Sequence, residues 1–331
     1  MNPKTKLAIN GFGRIGRNVL RALVESGRTD LEIVAINDLA PLEMQSHLFR
    51  YDSVHGRFSG DVEAGENWIR VNGTRIRCTS ISDPAELPWR DVDIALECTG
   101  LFTCRDEAAR HFGNGSRRVL ISAPARNVDQ TIVYGVNHQV LSSGDRIVSN
   151  ASCTTNCLAP VAKILNSMFE IEKGYMTTIH SYTGDQPVLD TNHKDPYRAR
   201  GAAISMIPTS TGAATTVGEV LPGLAGKLDG SAIRVPTPNV SVVDFHACVS
   251  RNTSVDEVNE LFSSYAVGPM KTVLGVSDEP LTSIDFNHDP RSSIVALDQT
   301  RVQGGNLVRV LCWYDNEWGF SNRMLDSAAW M

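Results

Sequence analysis

Two short stretches of this chain carry residue types and spacings suited to chemistry. In Ser149 to Cys157, SNASCTTNC, Cys153 lies among small and hydroxylated residues and Cys157 follows four positions later. In Asn10 to Gly16, NGFGRIG, Gly11, Gly13 and Gly16 form a G-x-G-x-x-G pattern. Cys153 has four readings: an apolar filler, half of a disulfide, a metal ligand or a nucleophile. The spacing to Cys157 is not C-x-x-C, and no second Cys or His cluster completes a four-ligand set, so no metal is expected. From Cys153 onward Leu158, Val161, Ala162, Leu165, Met168 and Phe169 recur at helical spacing, which places Cys153 in the first turn of a helix entered through Asn150, Ala151 and Ser152. A thiolate there faces the positive end of the helix. That field, like a nearby histidine, lowers a thiol pKa and yields a nucleophile at neutral pH. Pro160 predicts a kink or a short early segment in the same helix. Cys157, one turn along, reads as a structural residue facing inward. A nucleophile also needs a base. The next histidine, His180, ends the strand-like run GYMTTIH, and spacing alone leaves it open between a satisfied structural residue and a base.

The glycine pattern follows the strand-like Lys6 to Ile9 and opens a helix whose stripe is Ile15, Val19, Leu20 and Leu23. Its glycines permit a tight turn, close approach of a pyrophosphate and packing of helix on strand, while the helix N-terminus supplies N–H donors. A second strand, Leu31 to Ile36, leads to Asp38, 22 residues after Gly16, where an acid can hold a ribose 2′-hydroxyl. Asp38 would also repel a 2′-phosphate, which favours NAD over NADP.

These sites need elements to hold them. The 331 residues, 42% hydrophobic and 21% charged, have ordinary globular composition and exceed one typical core, so two domains are expected. Lys and Arg are scattered through a chain of net charge −6, which argues for a small-molecule partner and against nucleic acid. No apolar run reaches the roughly 18 residues that span a bilayer, and MNPKTKLAIN enters a strand directly, so a cytoplasmic location without a membrane partner is expected. Seven thinly spread cysteines do not form a disulfide framework, and Cys78, Cys98, Cys248 and Cys312 lie in apolar, strand-like runs as small core residues. The first half alternates strands with helical patterns and includes a hairpin signal at Asn72-Gly73, so it reads as a Rossmann doubly wound parallel α/β domain. After about residue 150 longer alternating strands such as VSVVDFHACV and LVRVLCWY give an α+β pattern with a mixed, largely antiparallel sheet. A capping box at Ser254 and Glu257 opens a structural helix.

Taken in order and spacing, INGFGRIGRN, SNASCTTNCLAP, IHSYTGDQ, STGAA, RVPTPNVSVVD and WYDNEWG resemble the phosphorylating glyceraldehyde-3-phosphate dehydrogenases over essentially the whole chain. The resemblance implies an NAD-dependent enzyme of the cytoplasm, a homotetramer, that converts glyceraldehyde 3-phosphate and inorganic phosphate to 1,3-bisphosphoglycerate. It implies a Rossmann domain of residues 1–152 joined by a C-terminal helix, 319–331, and a catalytic domain of residues 153–318. It makes Cys153 the nucleophile and His180 the base. It puts Arg14, Ile15, Asp38, Thr99, Ser122 and Asn316 beside the dinucleotide, with Asn316 orienting the nicotinamide amide. Thr183 and Arg234, accompanied by Asp185, match the site of the substrate's phosphate. Ser152, Thr154, Arg198, Thr211 and Gly212 match the surroundings of inorganic phosphate. The chain departs from the pattern at Asn192, where NAD-specific members carry a proline, which leaves NADP use open, and at Phe320, where a tyrosine is common. SIDFNHDP and DNEWGFSNRMLD also resemble erythrose-4-phosphate dehydrogenase, but SYTGDQ and STGAA favour the three-carbon aldehyde. Two alternatives remain: a non-catalytic nucleotide-binding protein on the same fold, and a cysteine hydrolase, which would use the Cys and His but leave the dinucleotide turn idle.

Overall fold

A computed structural model describes residues 3–331. The chain divides into two compact units, the first running to Ile132 and adding His138–Ala151 and Ser321–Met331, the second comprising Val133–Asn137 and Ser152–Phe320. The short segment Val133–Asn137 therefore groups with the second unit, although its sequence position lies inside residues 1–152. Lys163 accounts for part of this, because its Nζ donates to the Val136 carbonyl at 2.6 Å.

The first unit is built on one sheet of nine strands. From Gln130–Thr131 the order runs through Ile147–Ser149, Arg118–Ile121, Ile94–Glu97, Thr5–Asn10 and Leu31–Asn37 to Thr74–Thr79, all parallel. Trp68–Val71 and Val62–Ala64 extend it as antiparallel strands. Short apolar runs such as Ile94–Glu97, buried at every position, suit strands covered on both faces. Asn72 (φ 47°) and Gly73 (φ 81°) are both left-handed, as a type I′ hairpin turn requires. Trp89, Val92, Ala95, Val119 and Ile121 belong to the core on one side of this sheet.

The second unit is organised around the helix Cys153–Phe169 and a mixed sheet. That sheet runs Ile207–Ser210, Leu228–Val235, Ile171–Ser181, Ser241–Val249, Leu307–Tyr314, Ser293–Ala296 and Leu274–Ser277. Two of its pairings are parallel, Ile171–Ser181 with Leu228–Val235 and Leu274–Ser277 with Ser293–Ala296, and the others are antiparallel. The short early segment, one of the two outcomes that Pro160 signals, is not formed, because the helix continues to Phe169. Interior proline costs roughly 3 kcal/mol, but Leu158, Val161, Ile164 and Leu165 are fully buried, and each such side chain contributes about 1.5–3 kcal/mol. Ser254 caps the helix Val255–Val267 by accepting the Glu257 N–H at 3.2 Å. The Glu257 carboxylate does not complete the box and instead accepts from Thr253 and Arg251.

Candidate active site

Ser152 is extended (φ −112°, ψ 164°) and its Oγ accepts the Thr155 N–H at 3.0 Å, which starts the helix at Cys153. Ala151, just before it, is held at φ 57°, a left-handed position that a β-carbon makes costly, so the chain is bent sharply into the helix. The thiol meets the candidate base across 27 residues: Cys153 Sγ lies 3.5 Å from His180 Nε2. His180 Nδ1 lies 2.7 Å from the Ser181 carbonyl, which only accepts, and 3.0 Å from Arg234 Nη1, which only donates; the shorter contact favours the Nδ1–H tautomer, with the Nε2 lone pair toward the thiol. Strand register brings in the third member. In the parallel pairing His180 is opposite Arg234, whose Nη1 donates to the Ser181 carbonyl at 3.0 Å and to Thr183 Oγ1 at 3.1 Å. Arg234 Nε is buried and has no partner among the described residues, a donor left over for an anion.

Charge around this group is arranged in a chain. Asp185 accepts from the Thr183 hydroxyl and from Arg198 Nη1, the latter at 3.0 Å. Burial works to raise the Asp185 carboxyl, but Thr183, Arg234 and Arg198 together hold it below the ordinary range. Arg198 Nε also donates to Thr209 Oγ1 at 3.1 Å and lies 3.7 Å from Asp195. The hydroxyls matched to inorganic phosphate are already engaged. Ser152 caps its helix, Thr154 Oγ1 is 3.0 Å from the Tyr314 hydroxyl, and Thr211 Oγ1 accepts the Ala213 N–H at 3.2 Å. Gly212 is the N-cap of the helix Ala213–Val220. Among the described residues no hydrogen bond joins Thr211 or Gly212 to Cys153, His180 or Arg234.

The expectation of a thiol made acidic by its helix needs correction. Burial pushes the Cys153 thiol up, against the opposing pull of Arg234 and of Thr154. Burial, aided by Arg234, also lowers His180 to about 3. Each group taken singly is thus neutral. Moving the proton from Sγ to Nε2 creates opposite charges 3.5 Å apart, an attraction of about 5 kcal/mol at an effective dielectric near 20. The histidine, more than the helix, is thus placed to favour the thiolate form of Cys153.

Three supports escaped sequence reading. Tyr314 is buried, and its hydroxyl contacts both Thr154 and Thr178 (2.9 Å) while its ring meets His180 edge-on. Ser181 and Ser241 both donate to Asn316 Oδ1, at 2.8 and 2.9 Å, and so leave its amide nitrogen as the donor end. Tyr314 and Asn316 stand within the quoted WYDNEWG stretch, Ser181 within IHSYTGDQ and Ser241 within RVPTPNVSVVD, but nothing local shows that the two serines meet Asn316.

In the first unit, the glycines divide the work at the turn. Gly11 has φ 91°, and a Cβ there would lie 2.7 Å from the Thr99 nitrogen. At Gly16 a Cβ would meet the Gly11 carbonyl oxygen at 2.2 Å, so helix and strand could not pack. Gly13, the helix N-cap, faces open space, as a turn that admits a pyrophosphate must. Asp38 Oδ2 accepts the Phe12 N–H at 2.7 Å and Oδ1 accepts that of Ala40 at 2.9 Å. A cavity of about 280 Å³ opens here, lined by Gly11, Gly13, Asp38, Thr99, Leu101 and Phe102 among others. Arg14, in the first turn of the helix, pairs its Nη1 with Asp52 at 2.5 Å. Ile15 is half-buried in the first helical turn, and Ser122 donates its N–H to the Glu97 carbonyl at 3.0 Å. Beneath the cavity the buried Glu97 accepts from Asn10 Nδ2 (2.7 Å) and the Thr99 N–H (2.9 Å) and meets His111 at 2.9 Å. This network fixes the Thr99 backbone and was not foreseen. Open space at Gly13, close packing at Gly11 and Gly16, and an acid beyond the second strand fit a dinucleotide.

Comparison with known proteins gives the same answer for both halves. Residues 5–105 match the family model described as glyceraldehyde 3-phosphate dehydrogenase, NAD binding domain, and residues 152–316 match that of the C-terminal domain. The chain is 64% identical over 326 residues to glyceraldehyde-3-phosphate dehydrogenase of Cereibacter sphaeroides and 64% identical over 328 residues to that of Xanthobacter flavus, each alignment covering 98% of both chains. Identity to the Pseudomonas aeruginosa enzyme of that name is 61% over 326 residues, covering 98% of this chain and 97% of the relative. Matched along nearly its full length by relatives of one name, the chain belongs to the glyceraldehyde-3-phosphate dehydrogenase family.

Proposed function

We propose that the protein oxidises glyceraldehyde 3-phosphate to 1,3-bisphosphoglycerate with NAD and inorganic phosphate, and that the approach of Cys153 Sγ to His180 Nε2 at 3.5 Å carries this reading. Sγ attacks the aldehyde carbon as Nε2 takes the thiol proton and passes it to the carbonyl oxygen, giving a thiohemiacetal. NAD held at the glycine turn would supply the hydride acceptor for that carbon, and Cys153 keeps the oxidised acyl group as a thioester. His180 removes the hydroxyl proton during this oxidation, and its N–H together with the Cys153 backbone N–H steadies the oxygen; loss of one such donor typically costs about 100- to 1000-fold. Phosphate then attacks the thioester carbon, the carbon–sulfur bond breaks, and the thiolate regains a proton.

Arg234, with its spare Nε, and Thr183 hold the substrate's phosphate, while Asp185 sets the Thr183 hydroxyl. Inorganic phosphate is held near Arg198, Thr211 and Gly212, with Ser152 and Thr154 offering backbone donors of the helix start, because their hydroxyls are engaged. NAD is held by the Gly11, Gly13 and Gly16 turn with Arg14, Ile15, Asp38, Thr99 and Ser122, and Asn316 Nδ2 is the donor for the nicotinamide amide. Asp38 disfavours the 2′-phosphate of NADP, while Asn192 leaves its use open. The homotetramer belongs to the same reading, supported by the exposed Val188, Leu189, Tyr197, Ile204 and Met206, an apolar set that a second copy would cover. So does a cytoplasmic location, supported by seven free cysteines.

The test is absorbance at 340 nm with NAD and glyceraldehyde 3-phosphate, with and without phosphate, repeated with NADP and erythrose 4-phosphate. Phosphate-dependent NADH formation on the three-carbon aldehyde is expected. A rate indifferent to phosphate, or a preference for the four-carbon sugar, would overturn the assignment.

A further inference from the structure

A second concavity in the first unit, about 770 Å³, exceeds the cavity at the glycine turn and shares no lining residue with it. Its walls carry Lys6, Arg75, Arg77, Arg90 and Trp68, with Asp91 as the lone carboxylate, in a chain whose net charge is −6. The charge is concentrated against a cost. Alternation along the hairpin buries Ile69, Val71, Ile76 and Cys78, so Trp68, Arg70, Arg75 and Arg77 share its other face. There Arg70 stands directly opposite Arg75, and like charges in that position destabilise a sheet. Only Arg70 has a carboxylate, Glu63; Lys6, Arg75 and Arg90 have none among the described residues. The guanidiniums are also held in place. Arg75 lies over the Trp68 ring at 4.8 Å, and Arg77 donates to the Pro88 carbonyl.

We infer that this concavity is a binding site for an anion of linked phosphates, distinct from the dinucleotide and catalytic sites. Forked donors on three arginines and one lysine match several phosphate oxygens at once, the volume fits a ligand of nucleotide size, and neutralising the Arg70–Arg75 face removes a repulsion that the empty hairpin retains. A nucleoside triphosphate and an inorganic polyphosphate chain present the same chemistry.

The experiment is isothermal titration with tripolyphosphate, ATP and adenosine, each with saturating NAD and glyceraldehyde 3-phosphate omitted, on the full chain and on the double variant Arg75→Gln, Arg90→Gln. Saturable binding of tripolyphosphate or ATP is expected, weakened about 10-fold or more in the variant and reduced by salt, with no binding of adenosine. ATP tighter than tripolyphosphate assigns a nucleotide; equal affinity assigns the phosphate chain alone. The variant also separates binding from folding: its melting temperature should equal or exceed that of the parent, because a repulsion has been removed, and its turnover should be unchanged. Equal affinity in parent and variant, or no saturable binding of either phosphate compound at millimolar concentration, would overturn the inference.

Discussion

The two units build their sites from different materials. At the glycine turn the site is mostly backbone: Gly11, Gly13 and Gly16 act by lacking side chains, and all lie within six residues of chain. At the thiol the site is side chains, drawn from a helix start at Cys153, a strand end at His180, and a neighbouring strand at Arg234 that only sheet register brings alongside. The first kind of site is a local conformation and tolerates no added atoms. The second is a tertiary contact and tolerates no lost ones.

The largest effect should come from Cys153→Ser. Turnover at 340 nm should fall by about 10⁴-fold or more while NAD binding by titration is retained; near-normal turnover would remove Cys153 from the mechanism. His180→Asn should lower kcat by about 10²- to 10⁴-fold and shift the pH profile of Cys153 alkylation upward, since the proton acceptor is gone. An unmoved alkylation profile would return the thiol's activation to the helix. The same residue makes a stability prediction. His180 is buried neutral with a folded pKa of about 3, below its unfolded value near 6.5, so the unfolded chain binds the extra proton between these limits. The stability it confers is complete above pH 6.5 and is lost as pH falls toward 3, by up to about 1.4 kcal/mol per pH unit, and His180→Asn should flatten that slope in denaturant titrations. Gly11→Ala sharpens the contrast from the other side. A Cβ at φ 91°, 2.7 Å from the Thr99 nitrogen, should raise KM for NAD about 10-fold or more and lower the melting temperature, yet leave the alkylation rate of Cys153 unchanged. A parallel loss of thiol reactivity would show that the two sites do not fail independently. Smallest is Tyr314→Phe, which leaves the Thr154 and Thr178 hydroxyls short of one partner and should cost about 1–3 kcal/mol of stability by chemical denaturation, with KM for NAD unmoved.

This contrast also governs what could be read from sequence. The βαβ opening, the hairpin at Asn72-Gly73 and the helix start at Cys153 are short-range patterns, and each is present in the fold. His180 was readable as a histidine at a strand end, but its contact with Cys153 depends on packing across 27 residues, and its alignment with Arg234 on a parallel pairing across 54. Ser181 and Ser241 support Asn316 from chain positions 135 and 75 residues away, and ordinary serines carry no mark of that duty. Pro160 signalled a kink or a short early segment, and burial of the helix overruled the second. The thiol's acidity misled for the reverse reason: the helix field was legible, and the depth of burial was not.

The Asp38 carboxylate joins two tasks that are usually discussed apart. One of its oxygens is already bonded to the Phe12 N–H inside the glycine turn. An engineer who exchanges this acid for a neutral or basic residue to admit NADP therefore also unpins the loop that both coenzymes share. On the proposed role of Asp38, coenzyme preference is coupled to the rigidity of the turn, so redesign should begin with a replacement brace for the Phe12 N–H and only then alter the charge.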